Sequence, residues 1–279
     1  MRFAFSSNAF RRYSLIETIK ILTAAGYEGI EIMADVPHAF PLHLSEHDVS
    51  EIRSALRDTG LQVPNINAFM HHAEGDTYHP SWIEKDPALR AKRVDYTLRC
   101  IDLAQKLGVP NISTEPGGPL QDMTREQGLE LFLEGLKQVE QRAKDKGIRV
   151  LIEPEPDLLI ENSGQFLDLI KILDKDVFGL NFDVGHFYCV NEDPVELIKK
   201  LKDYTYHFHL EDIASTREHY HLKLGEGAID LPAVLKTIDE IGYDGFVTVE
   251  LYTYEDRAGE AAFDAYRFLS QWRQMTEGK

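Results

Sequence analysis

Five short apolar runs in this chain end in a residue able to hold a cation or move a proton. Glu115 closes the run from Asn111, Glu153 the run from Arg149, Asp183 the run from Gly179, His209 the run from Tyr204 and Glu250 the run from Phe246. A buried strand seldom ends in an acid without a partner for it, because an ionised carboxylate is costly to remove from water. A helix cap or a rim ion pair would account for any single one. Their recurrence on successive runs points instead to a shared site. Carboxylates with one imidazole make an oxygen-rich ligand set that suits Mn²⁺, Mg²⁺ or Co²⁺ in an open octahedral site better than a closed structural zinc, with Zn²⁺ still compatible.

Further groups cluster around these ends. Asp183-Val184-Gly185-His186 places an imidazole three residues after an acid, with Gly185 expected to allow the sharp departure that swings His186 back. Glu155 follows Glu153 by two residues and shares its face. The segment from Glu211 to Asp230 carries Arg217, His219 and His221, closes with Gly225-Glu226-Gly227 and is long enough to act as a lid. After the third run come Phe69, His71, His72, Asp76 and Trp82, from which a sugar ring could gain an apolar wall.

The elements that must position these groups repeat one rhythm. Apolar runs at Arg2 to Ser6, Gly29 to Met33, Val63 to Ala68, Asn111 to Glu115, Arg149 to Glu153, Gly179 to Asp183, Tyr204 to His209 and Phe246 to Glu250 alternate with helical patterns. Examples are Leu15, Ile16, Ile19 and Leu22, or Leu129, Phe132, Leu136 and Val139. Gly26, Gly108, Gly147 and Gly242 stand where such helices would stop. Strand–helix alternation predicts a parallel sheet. Eight units predict an α/β fold of the (β/α)₈ TIM-barrel type, one domain over residues 1–279, with an open doubly wound sheet as the lesser alternative. The last helix is expected from Ala258 to Met275 and a frayed tail from Thr276 to Lys279.

Composition narrows the partners. With 47 acids against 30 bases the net charge is −17, which repels polyanions, so no nucleic-acid partner is expected. Cys100 and Cys189 form neither a disulfide framework nor a C-x-x-C motif, and no run has the length of a membrane span or a signal peptide, so a cytoplasmic protein is expected.

Several strings occur in an order that resembles the xylose-isomerase-like barrel superfamily. They are Ile152-Glu153-Pro154, Phe182-Asp183-Val184-Gly185-His186, His207-Phe208-His209-Leu210-Glu211-Asp212, His221-Leu222-Lys223-Leu224-Gly225-Glu226-Gly227 and Val249-Glu250. The resemblance spans nearly the whole chain, and the superfamily holds sugar isomerases and epimerases (ketose 3-epimerases among them), inosose dehydratases and apurinic-site endonucleases. It implies Glu153, Asp183, His209 and Glu250 as ligands of one divalent ion, Mn²⁺ first, with Glu153 and Glu250 also catalytic. It implies His186, His221, Arg217, Glu115 and Glu155 as contacts to a small sugar or polyol, and leaves a homo-oligomer open. Glu115 departs from the endonuclease branch, which has histidine there, and Glu211 stands where relatives commonly have lysine. In the endonuclease branch the counterparts of His219 and His221 bind additional zinc.

The expected activity is therefore a metal-dependent sugar isomerase or epimerase. A divalent ion holding the oxygens of a hydroxyketone stabilises the enediolate, so a carboxylate can take the adjacent proton and a second one can return it. The alternatives are a dehydratase or lyase on a keto-sugar or inosose, which needs an added acid, and an endonuclease-IV-like phosphodiester hydrolase.

Overall fold

The computed structural model describes residues 1–277. Its strands β1 (Arg2–Ser6), β2 (Gly29–Met33), β3 (Ile66–Asn67), β4 (Asn111–Thr114), β5 (Arg149–Ile152), β6 (Phe178–Asp183), β7 (Thr205–Leu210) and β8 (Phe246–Val249) pair in chain order, and β8 closes on β1. Every pairing is parallel. Helices α1 (Leu15–Ala25), α2 (Glu46–Thr59), α3 (Pro87–Leu107), α4 (Arg125–Lys146), α5 (Ser163–Ile170), α6 (Val184–Cys189), α7 (Pro194–Leu201), α8 (Leu231–Glu240) and α9 (Ala258–Glu277) follow or bridge the strands. The expected closed barrel is the observed one. α9 runs through Glu277, so the expected tail begins inside a helix, and Gly278 and Lys279 lie outside the described residues.

Local sequence sets these boundaries. Ser14, Ser45 and Thr124 each cap a helix by accepting the backbone N–H three residues on, while Gly26, Gly108 and Gly147 end helices in the left-handed region. β3 is shorter than the run from Val63 to Ala68 because Pro64 brings no N–H to the ladder. The strand still bridges β2 and β4 through Ile66 and Asn67.

Alternation along the strands sorts residues between two environments. Ile30, Ile32, Ile66, Ile112, Leu180, Phe182, Phe208 and Val247 belong to the apolar core shared with the helices. The other face is polar: Ser6, Glu31, Asn65, Asn67, Ser113, Asn181, His207, His209 and Thr248 are all buried. Parallel β6 and β7 set Asn181 beside His207 and Asp183 beside His209, so two layers of polar side chains are in register. Phe182 is fully buried against Phe187 and Phe208. Phe182→Ala should therefore lower the unfolding free energy by about 3–5 kcal/mol, measured by urea titration. A loss of under about 1 kcal/mol would contradict this packing.

Candidate metal centre and cavity

At the carboxyl ends of β5 to β8 four side chains meet. Nδ1 of His209 lies 2.8 Å from Oε1 of Glu153, 3.6 Å from Oε2 of Glu250 and 3.7 Å from Oδ2 of Asp183. One ligand atom from each of the four falls within 4.8 Å of the others, and all four residues are buried. Oε2 of Glu153 and Oδ2 of Asp183 have no hydrogen-bond partner. Buried carboxylate oxygens left without donors, converging on one imidazole, fit a divalent cation.

The electrostatics follow from this crowding. Burial raises the carboxyls of Glu153 and Glu250, against the pull of His209, and the neighbouring acids add to the rise. For His209 burial acts downward, but Glu31, Glu153 and Glu250 together hold it well above the usual imidazole range. Burial would raise Glu31, yet the two imidazoles His209 and His207 hold it well below the usual carboxylate range.

The Asp183-x-x-His186 corner is a helix start. Asp183 caps α6, its Oδ1 accepting the N–H of His186 at 2.7 Å, which leaves Oδ2 toward His209. Gly185 serves close approach rather than the sharp departure expected: its N–H donates to Glu211, and a Cβ would collide with that carboxylate and with Ile213. Nδ1 of His186 donates to the Pro154 carbonyl at 2.9 Å, so its Nε2 is the free acceptor, 3.7 Å from Asp183. Nδ1 of His221 likewise donates to the Glu250 carbonyl at 2.9 Å, and its Nε2 is unpartnered. Burial pushes His221 down to about 3.

Above the cluster is a cavity of about 220 Å³ lined by Asn8, Asn67, Glu153, Glu155, His186, His219 and Glu250, with Arg11, Phe69, Met70, His72, Thr77, Tyr78 and Tyr252 completing its walls. A larger concavity of about 560 Å³ at the opposite barrel end, around Arg2, Gln62 and Tyr206, is lined by no carboxylate or histidine. The cavity over the cluster, lined by Glu153, Glu155, His186 and Glu250, is the one with chemistry. Glu155 accepts the Tyr78 hydroxyl at 2.8 Å, and burial raises it well above the usual range.

The structure brings Glu153, Asp183, His209, Glu250, His186 and Glu155 together, and places His221 just behind His186 and His219. It does not bring Glu115 or Arg217 to the cavity. Glu115 turns back to accept the Trp82 N–H at 2.9 Å and faces Arg93 at 3.8 Å. Arg217, at φ 61°, stacks its guanidinium 3.8 Å from the Tyr188 ring centroid and lines a separate groove. Trp82 packs on Phe132 rather than walling the cavity; Phe69 provides that wall. Glu31, Asn8, Asn67, Tyr78 and Tyr252 also face the cluster or the cavity, without a place among the expected site residues. Of these, Glu31 alone has a signal in the sequence, an acid set between Ile30 and Ile32 inside a strand.

A closed parallel barrel with an acid-rich histidine cluster at its carboxyl mouth is the architecture of α/β-barrel enzymes that work at that end. The family model described as "Xylose isomerase-like TIM barrel" matches residues 19–272, and the chain belongs to that family. Among its curated relatives, fructoselysine 3-epimerase of Shigella flexneri is 27% identical over 82% of either chain. Inosose isomerase of Bacillus licheniformis is 24% identical over 87% of this chain and 85% of that one. A solved D-tagatose 3-epimerase-like protein superposes with a TM-score of 0.83 at 21% identity, covering 100% and 99% of the two chains. The IolI protein, solved with a bound zinc atom, gives 0.80 at 19% identity over 99% of both.

Glu115 yields a stability prediction. Burial raises its carboxyl from 4.5 to about 7, against the pull of Arg93, so the folded state holds a proton that the unfolded chain has released. The stability this contributes is full below about pH 4.5 and lost as pH rises through about 7. Glu115→Gln should gain on the wild type across that window by up to about 3 kcal/mol in denaturant titrations. A pH-independent difference would contradict the assignment.

Proposed function

We propose that this protein is a divalent-metal-dependent isomerase or epimerase of a sugar or polyol, acting by proton transfer next to a carbonyl. The observation that carries the reading is the convergence of Glu153, Asp183 and Glu250 on Nδ1 of His209, beneath a cavity that Glu153 and Glu250 line. The names of the relatives, a fructoselysine 3-epimerase, an inosose isomerase and a 2-oxo-tetronate isomerase, support it.

Glu153, Asp183, His209 and Glu250 would hold one divalent ion, Mn²⁺ being the ion this oxygen-rich set suits, with Mg²⁺, Co²⁺ and Zn²⁺ compatible. When bound, that ion supplies positive charge against the negative charge developing on the substrate oxygens. Glu153 takes a proton from the carbon next to the carbonyl, and Glu250 returns one from the opposite side. Asn8 and Asn67 donate to Oε1 of Glu250 at 2.8 and 3.3 Å and fix the direction in which that carboxyl faces. His186 presents Nε2 to a substrate hydroxyl, while Phe69 and Tyr252 wall the apolar face of the ring.

A dehydratase reading has its own support. Glu155, its carboxyl raised well above the usual range by burial and hydrogen-bonded by Tyr78, is an acid beside the cavity that could protonate a departing hydroxyl. The hydrolase alternative draws on the ring nitrogens of His186, His219 and His221, which lie within 4.8 Å of one another. Against it, among the described residues lining the cavity the one Lys or Arg is Arg11, too little positive charge for a polyanion.

Ketoses, aldoses and inososes incubated in D₂O with Mn²⁺ should incorporate deuterium next to the carbonyl, seen by NMR after the metal is removed. Glu153→Gln and Glu250→Gln should each slow incorporation by about 10²-fold or more, and chelation should stop it until Mn²⁺ is restored. Undiminished exchange in both variants would sink the reading. An enone absorbance in the ultraviolet would select the dehydratase instead.

A further inference from the structure

Glu31, in the middle of β2, is a buried carboxylate on the polar inward face of the strands that the chemistry above does not use. Ser6 Oγ donates to Oε1 at 2.7 Å and Asn65 Nδ2 donates to Oε2 at 2.8 Å. Asn67 Nδ2 lies 3.4 Å from Oε1. Across the barrel, Nε2 of His209 lies 2.8 Å from Oε2, with Nε2 of His207 at 3.2 Å. Asn65 is itself tied to Ser113 Oγ at 2.9 Å, so a chain of side chains from β1 to β4 aims this carboxylate at one ring of β7. None of these groups reaches the cavity wall except Asn67.

We propose that Glu31 is a positioning residue for the metal centre: it receives the Nε2–H of His209 and so reserves the Nδ1 lone pair for the cation. The inference rests on the metal reading above. A neutral imidazole carries one N–H and one lone pair, and a carboxylate can only accept. Both ring nitrogens lie 2.8 Å from a carboxylate oxygen, Nε2 from Glu31 and Nδ1 from Glu153. With a cation on Nδ1 among Glu153, Asp183 and Glu250, the one N–H of the neutral ring is on Nε2, where Glu31 receives it. A carboxylate behind a ligating histidine fixes the tautomer, holds the ring plane and makes the nitrogen a stronger donor. Because Ser6 and Asn65 donate to its two oxygens, Glu31 cannot turn away without leaving buried donors unpaired. A packing role alone would not require the acid to lie on the ligand ring from the opposite side of the barrel.

The test uses zinc binding to the full chain, measured by competition with a chromophoric chelator, alongside ¹⁵N correlation spectra of the histidine rings of the zinc-loaded wild type. The His209 signals are assigned by their loss in His209→Gln. The wild type should show metal on Nδ1 and a proton on Nε2. Glu31→Gln should bind zinc about 10- to 100-fold more weakly while its metal-free form keeps a cooperative unfolding transition. Unchanged affinity in folded Glu31→Gln, or zinc on Nε2 in the wild type, overturns the proposal and leaves the metal reading standing. A wild type that binds no zinc overturns both. Where Glu31→Gln fails to fold, the wild-type tautomer decides.

Discussion

Taking carboxylates out of water is unfavourable unless positive charge goes with them, and breaking up a buried charge cluster leaves the remainder uncompensated. In this barrel Glu31 and Glu153 flank the two ring nitrogens of His209 at 2.8 Å each, and Asp183 and Glu250 stand just beyond. The imidazole is the group these carboxylates share. Its pull offsets them only in part, and Oε2 of Glu153 and Oδ2 of Asp183 are left without donors. On the proposed reading a divalent cation at Nδ1 would complete the balance, and its binding would displace a proton held there.

The rest of the fold serves that arrangement. The outward faces of the strands meet the helices as an apolar core, which leaves the inward faces free to be polar, and the donors there are spent on orienting acids. The loops are tied down by carboxylates that do not join the cluster. Asp212 accepts from the backbone N–H groups of Gly225, Gly227 and Ile229, so the glycines of that loop wrap an acid of their own chain. A side chain at Gly227 would collide with it. Tyr78 reaches from the segment after β3 to Glu155, joining two walls of the cavity.

The barrel was legible because its signals are local and repeated: apolar runs, helix caps, glycine stops. The four clustered residues were legible because each stands at or just past the end of a run, where the fold puts its mouth. Glu115 occupies an equivalent position, yet its carboxylate turns aside to satisfy a buried N–H of Trp82 near Arg93. Position along a strand does not report such a choice. Arg217 followed from the loop it sits on, but its left-handed backbone and the ring of Tyr188 carry it outward. Glu31 escaped for the opposite reason. It lies mid-strand, 178 residues from the histidine it meets, and only closure of the barrel brings β2 and β7 within reach of each other.

The measurement that bears most directly on this account is calorimetric titration of the metal-free protein with Mn²⁺ or Zn²⁺ in buffers of different ionisation enthalpy, which counts protons released per ion bound. If His209 holds a proton where the cation belongs, saturation at one ion per chain should release about one proton or more near neutral pH. Binding with no proton release, or no saturable binding, would contradict the claim that this cluster is built for a metal.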